Sequence, residues 1–426
     1  MSGVQLAHVS DIHFGPDALA EVRKCAASVV DRLSRAERVD AIVLSGDLFD
    51  HRMEAHTPAF REALRWVRSL AEVAPVLVLQ GTFSHDVPGM LDVLRLIDSH
   101  FPIAIADEEG AYVLSGGRWA AGAEGVHCED TLVVYAWPPL PRADFATQVD
   151  SPDTYAAYVT GVHARAAAIA DSARAAGVPS VFTSHGTVAG CVTEHGQVLV
   201  SPDHEFGTAE LFALGYDAVA LGHIHKQQVW REGGQCIAYA GSIARLCAGD
   251  YDPKGWLLWS LEPGHAVCEN VATPARDMIE LTFDGVPDMA RLQEVADNCA
   301  GAIVRVRYSV EPEAASLIDR QAITAMFATA ELCRVEANIK PRLVARVPQI
   351  AMARGLPEKL ELWRNSQPQP GDGVALQRAL STLIDVPDTE VLVDAILNSI
   401  NAAVTGALTQ KEMESDETHT PDTVRV

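Results

Sequence analysis

From Val4 to Ser260 the chain alternates short apolar runs with amphipathic stretches. Val4–Ser10, Ala41–Ser45, Val76–Gln80, Leu132–Ala136, Val181–Ser184, Ala218–Leu221, Ile237–Ala240 and Trp256–Ser260 read as strands. Between the first two, Leu19, Val22, Ala26, Val29, Val30 and Leu33 recur near the 3.6-residue period and predict a helix. Thr57 is placed to cap a second helix, with Pro58 at its first position and Phe60, Leu64 and Val67 on one face. An alanine-rich stretch, Tyr155 to Ala176, predicts a third. Strand–helix alternation followed by consecutive strands predicts a layered α/β sandwich.

The pattern restarts around Thr273–Arg276. Ile279–Phe283, Ile303–Val310 and Leu332–Ile339 read as strands, with helices over Met289–Cys299 and Ala314–Ala328 between them. Beyond Pro341, proline and glycine punctuate Gln367–Gly373, and two apolar-periodic helices are expected over Val374–Ile384 and Thr389–Leu408. In the latter, Val391, Val393, Ile396, Leu397, Ile400, Val404 and Leu408 form an amphipathic stripe. The polar, acid-rich end from Lys411 to Val426 is expected to be disordered. These shifts predict a main domain over 1–272, a small α+β domain over 273–345, a helical region over 346–410 and a tail over 411–426.

Composition narrows the picture in three ways. The formal net charge of −24 argues against a broadly basic nucleic-acid-binding surface, though metal ions can supply local positive charge at a phosphate. No apolar run approaches the roughly 18 residues a membrane span needs, and no signal peptide is visible. The eight cysteines form no CxxC pair and read as thiols of a reducing cytoplasm.

The chemistry lies just past the strands, where a parallel sheet presents loops to ligands. Asp11-Ile12-His13 follows the first strand, and Gly46-Asp47-Leu48-Phe49-Asp50 the second. Gly81-Thr82-Phe83-Ser84-His85-Asp86, Ser184-His185-Gly186 and Gly222-His223-Ile224-His225 follow three others. Two divalent ions roughly 3.5–4 Å apart can clamp a phosphate and activate a water, and need a bridging carboxylate with imidazoles around it. Histidine and carboxylate ligands together suit manganese, iron or zinc better than calcium. Any one of these motifs is common by chance; their order, each after a strand, is not. His8, His51, His127, His163, His195 and His265 have no such setting and read as core or solvated side chains.

Taken together, these residues resemble the calcineurin-like metallophosphoesterases. Leu6-Ala7-His8-Val9-Ser10-Asp11-Ile12-His13-Phe14-Gly15, Gly46-Asp47-Leu48-Phe49-Asp50 and Tyr239-Ala240-Gly241-Ser242-Ile243 resemble, more narrowly, the SbcD-like nuclease subunits of double-strand-break repair. The resemblance implies a four-layer α/β/β/α metallophosphoesterase sandwich with a small α+β capping domain and a helical C-terminal extension. It implies two divalent ions, with manganese expected, one held by Asp11, His13, Asp47 and His225, the other by Asp47, His185 and His223. The family's G-N-H-D stretch is longer here, which places Ser84 where the ligand asparagine stands, His85 as the catalytic acid and Asp86 as the residue that orients it. DNA is the implied substrate, in repair or recombination in the cytoplasm, with an SMC-like coiled-coil ATPase as partner; a homodimer stays open. A metallophosphatase acting on nucleotides or phosphoproteins, and a non-catalytic scaffold, also remain open.

Overall fold

In the computed structural model, residues 3–123, 125–139, 152–193, 205–246, 249–340, 348–367 and 372–385 are described. The strands β1 (Val4–Val9), β2 (Ala41–Leu44), β3 (Val76–Leu79) and β4 (Ile103–Ala106) run parallel side by side. They are linked by α1 (Leu19–Ser34) and α2 (Pro58–Ala71). Their side chains alternate between two apolar surroundings. Ile42 and Leu44 pack with the helix residues Val22, Val29, Trp66 and Val67, whereas Ala41 and Val43 pack with Leu132, Val134 and Val181 of a second sheet. Both faces are covered, so these strands read as continuous apolar runs.

The second sheet is built from β5 (Gly110–Ser115), β6 (Arg118–Ala121) and β7 (Leu132–Trp137). After α3 (Pro152–Ala176) come β8 (Ser180–His185), the short pair β9 (Thr187–Val188) and β10 (Glu205–Phe206), and the helix α4 (Thr208–Ala213). The strands β11 (Ala218–Gly222), β12 (Gln228–Glu232) and β13 (Gln235–Tyr239) complete it, in the order β12-β13-β11-β8-β7-β5-β6. Its outer face buries Phe182, Val219 and Tyr135 against Val162, Ala166 and Ala170 of α3. The chain then returns to the first sheet as β14 (Gly255–Glu262) and β15 (His265–Ala272), giving the order β15-β14-β1-β2-β3-β4. Sheet lies on sheet, with helices on the outer faces.

A separate three-stranded parallel sheet follows, made of β16 (Met278–Asp284), β17 (Ile303–Val310) and β18 (Leu332–Ile339), with its own core around Leu292, Val306, Ile323 and Phe327. Its first helix is α5 (Met289–Ala296). The single helix expected over Ala314–Ala328 is instead two, α6 (Pro312–Ala315) and α7 (Arg320–Met326). Asp319 breaks it, because its extended backbone starts a new helix and its carboxylate caps Gln321 N at 2.9 Å and Ala322 N at 3.0 Å. The molecule forms two compact units, residues 1–339 and 340–426. In the second, α8 (Leu356–Asn365), which the periodicity did not predict, and α9 (Gly373–Asp385) are described. The predicted helix Thr389–Leu408 and the tail 411–426 lie outside the described residues. Among the described residues no helix is long and apolar enough to cross a membrane.

The strands that the apolar pattern misses are mostly edges or hairpins. β12 and β6 close the second sheet with largely polar or half-exposed faces, so no apolar run marks them. Thr57, by contrast, caps α2 as its type and position suggest, accepting a hydrogen bond from Phe60 N at 3.3 Å. Thr57→Ala is expected to cost about 1 kcal/mol of stability, read as a lower midpoint with unchanged slope in urea unfolding.

Candidate metal centre

Five loops meet at the ends of β1, β2, β3, β8 and β11, and backbone hydrogen bonds lace the first two together. Asp11 N donates to Gly46 O, and Ile12 N and His13 N both donate to Asp47 O at 3.0 and 3.1 Å. This lacing forces unusual backbone. Asp11, His13, Asp47 and His223, with φ of 51°, 53°, 53° and 99°, are the non-glycine residues with positive φ among the described residues. Each such conformation costs on the order of 1–3 kcal/mol and survives only where the surroundings impose it. Gly46 has φ 97° as well, and a Cβ there would lie 2.3 Å from His185 Nδ1.

Asp47 is the hub. Only 2% exposed, it accepts from Thr82 N at 2.7 Å on Oδ1. Its Oδ2 lies 3.2 Å from His185 Nε2, 3.9 Å from His13 Nε2 and 4.0 Å from His85 Nε2. Asp11, fully buried, accepts the His223 amide on both oxygens. His185 donates Nδ1–H to Ser45 O at 2.8 Å, which orients the ring and turns Nε2 to Asp47.

Burial, opposed by His185 and reinforced by the Asp47 charge, pushes the Asp11 carboxyl up to about 6. For Asp47 burial acts the same way, but the charge and hydrogen bond of His185 outweigh it, and the group stays well below the carboxylate range. Burial also works against a charged His185, yet Asp47 and Asp11 raise it to about 9. His13 is lowered by burial to about 4, and His225 falls well below its ordinary value for the same reason.

Among the described residues, three groups of side chains bring ligand atoms within 4.8 Å of one another: Asp11, His13 and His225; Asp11, Asp47 and His185; and His13, Asp47 and His85. The Nε2 atoms of His13 and His225 stand 3.0 Å apart, and 4.0 and 3.8 Å from Asp11 Oδ1. Two neutral imidazoles converging on a buried carboxylate are a poor hydrogen-bonding set and a good cation set. The donor chemistry therefore fits divalent ions. The ring of His223 lies beside that of His185, 5.3 Å between centroids, at the rim of these groups.

The turn after β3 departs from the motif-based expectation at two residues. Ser84 is exposed and is not brought into the cluster. Thr82 stands there instead, with Oγ1 3.4 Å from Asp47 Oδ2 and 3.2 Å from His185 Nε2. The cause is the one-turn coil in which His85 N and Asp86 N both bond to Thr82 O, which tucks Thr82 inward and turns Ser84 out. The signal was present in the sequence, because Thr82 directly follows Gly81, as the family's asparagine follows its glycine. Nor does Asp86 orient His85. Its buried carboxylate accepts from Leu48 N, Phe49 N and Gly81 N at 3.0–3.2 Å and so ties two loops together. His85 is held by Asp50, whose backbone carbonyl accepts from Nδ1 and leaves Nε2 facing Asp47.

This geometry predicts that Thr82→Ala weakens one bound ion by about tenfold, while Ser84→Ala binds metal like the wild type. Calorimetric titration with manganese checks both, and a metal-binding defect in Ser84→Ala with none in Thr82→Ala would reverse the placement.

Comparison with known proteins places the arrangement. The model of the calcineurin-like phosphoesterases matches residues 4–227, more than half of the chain and all five motif loops. A curated relative from Rhodobacter capsulatus, the SbcD component of the SbcCD nuclease, is 26% identical over 331 residues, covering 70% of this chain and 76% of that one. Among solved structures, GAP50, the anchor in the inner membrane complex of Plasmodium, aligns at 12% identity with a TM-score of 0.44, over 64% of this chain and 86% of that one. A Staphylococcus aureus chain described as a 5′-nucleotidase aligns at 14% identity with a TM-score of 0.40, over 64% of this chain and 55% of that one. With its model matched across the whole motif-bearing half, this chain belongs to the calcineurin-like phosphoesterase family of metal-dependent hydrolases.

Proposed function

We propose that the chain is a manganese-dependent nuclease that hydrolyses DNA phosphodiesters in repair or recombination. The observation that carries the metal-dependent reading is the convergence of Asp11, His13, Asp47, His185 and His225 on one buried cluster. The relative named as a nuclease component favours DNA as substrate.

The residues divide the work by position. Asp11, His13, Asp47 and His225 would hold one ion, and Asp47, His185, His223 and the Thr82 hydroxyl the other. When bound, such ions supply Lewis acidity toward a phosphate oxygen. Asp47 is fixed for a shared role by Thr82 N, and His185 by Ser45 O, so neither has to reorganise when substrate arrives. His85 is 30% exposed, against 21% for His225, and its Nε2 faces Asp47 Oδ2 at 4.0 Å. From there it would give a proton to the leaving oxygen or steady the charge on it.

In the same reading, 1–272 is the catalytic domain, 273–345 caps it and 346–410 docks an SMC-like coiled-coil ATPase in the cytoplasm. Leu356, Trp363, Val374, Leu383 and Ile384 of the second unit expose 44–66% of their surface, which suits helices that meet a partner.

Purified protein with manganese should degrade end-labelled DNA, lose that activity with chelator, and lose it by at least about a thousandfold in Asp47→Ala. His85→Ala should lower turnover by about 10²–10⁴ while leaving metal affinity unchanged. Wild-type turnover in Asp47→Ala removes the two-ion reading. Hydrolysis of mononucleotides with DNA left intact moves the substrate to small phosphoesters.

A further inference from the structure

Behind the His223–His225 loop lies a buried ion pair that the sequence motifs do not include. Lys254 Nζ and Asp250 Oδ2 are 2.6 Å apart, with side chains 0% and 1% exposed. A lysine ammonium has three donors, and the other two go to the metal loop and its support: Ser242 Oγ at 2.9 Å and the backbone carbonyl of His225 at 3.2 Å.

The same carbonyl accepts Ser242 N at 3.1 Å. The Gly241 backbone (φ 73°) passes so close that a Cβ there would lie 2.8 Å from it. Ser242 also bridges to Ser10, the residue before Asp11. One short segment thus touches both loops that supply Asp11, His13 and His225. The base of the clamp is anchored too. Arg245 donates from Nε to Asp250 O at 2.7 Å and from Nη2 to Asp252 O at 2.8 Å, and Arg276 Nε donates back to Arg245 O at 3.0 Å.

We infer that Lys254, locked by Asp250, is a positioning residue: it holds the His225 carbonyl so that the imidazole faces Asp11 and His13 before any ion arrives. A buried lysine–aspartate pair adds little net stability over an apolar pair of the same volume, and removing one partner is far worse than removing both. The donors to the His225 carbonyl and to Ser242 Oγ are what such an exchange would lose. This inference rests on the metal-centre reading, because it concerns the ion that His225 would hold.

The test separates position from stability. Lys254→Met alone leaves the Asp250 carboxylate buried without its lysine, so it is paired with the double variant Lys254→Met/Asp250→Leu, which removes both charges. Full-length proteins are compared by calorimetric manganese titration, and in metal-free form by hydrogen exchange of residues 223–227. The double variant is expected to melt within a few degrees of the wild type, to exchange residues 223–227 faster, and to bind one of the two ions about 10–100-fold more weakly. A double variant that matches wild type in exchange and in both affinities overturns the inference. So does a folded Lys254→Met protein that matches the wild type in exchange and in both affinities, since the His225 carbonyl would then not need its donor. Wild-type protein that binds no manganese fails the metal-centre reading, whereas the exchange comparison still reports on the clamp.

Discussion

Two carboxylates buried in one pocket set the terms for the rest of this structure. Asp11 and Asp47 are 0% and 2% exposed, and isolated buried charge is too costly for a fold to carry without compensation. Part of the compensation is local. Backbone amides of His223 and Thr82 point at the carboxylates, and the His185 imidazole lies against Asp47. The remaining donors, His13 and His225, are neutral nitrogens with nothing cationic to offer. What they offer is lone pairs, which makes a divalent ion the natural counter-charge. Bringing these groups together requires left-handed backbone at Asp11, His13, Asp47 and His223. That strain is sustainable because each loop leaves a strand buried on both faces, whose register cannot slip.

Much of this was legible in the sequence because it is local. Asp11 and His13, Asp47, His185, and His223 with His225 each follow an apolar run directly, so the strand and the ligand are read in one window. Parallel pairing puts the C-terminal ends of β1 and β2 side by side in one sheet and those of β8 and β11 side by side in the other, and the packing of sheet on sheet brings the two pairs together. The small sheet after Thr273 was legible for the same reason, since Ile303–Val310 and Leu332–Ile339 are bounded as the apolar pattern bounds them. Edge strands such as β12 were not, because an edge with one wet face has no continuous apolar signature.

The turn from Gly81 to Asp86 shows where local reading stops. Matching motif letters puts Ser84 and Asp86 in the catalytic cluster, yet what decides their roles is partners far along the chain. Asp86 is claimed by amides 37 and 38 residues away, Phe49 N and Leu48 N, and His85 by the carbonyl of Asp50. Thr82 is drawn inward by Asp47, 35 residues away, and His185, 103 residues away. None of these pairings follows from spacing. Lys254 is the extreme case: outside every motif in the sequence, it gains meaning through Ser242, 12 residues away, and a backbone carbonyl 29 residues away.

The chain's net charge adds a last constraint on how such a site could serve a polyanion. At −24 the protein as a whole repels a phosphodiester backbone, and the pocket itself is lined by two buried acidic groups. Attraction must therefore be local and short-ranged, within about 10 Å at ordinary ionic strength. Under the proposed reading, ions held by Asp11 and Asp47 would reverse the sign of the field where a phosphate enters, so loading the centre and recruiting the substrate would become one electrostatic event. Such coupling would make it matter that the ligand loops are held in place in advance. A loop that had to find its geometry after each ion left would lose its affinity for substrate together with its affinity for metal.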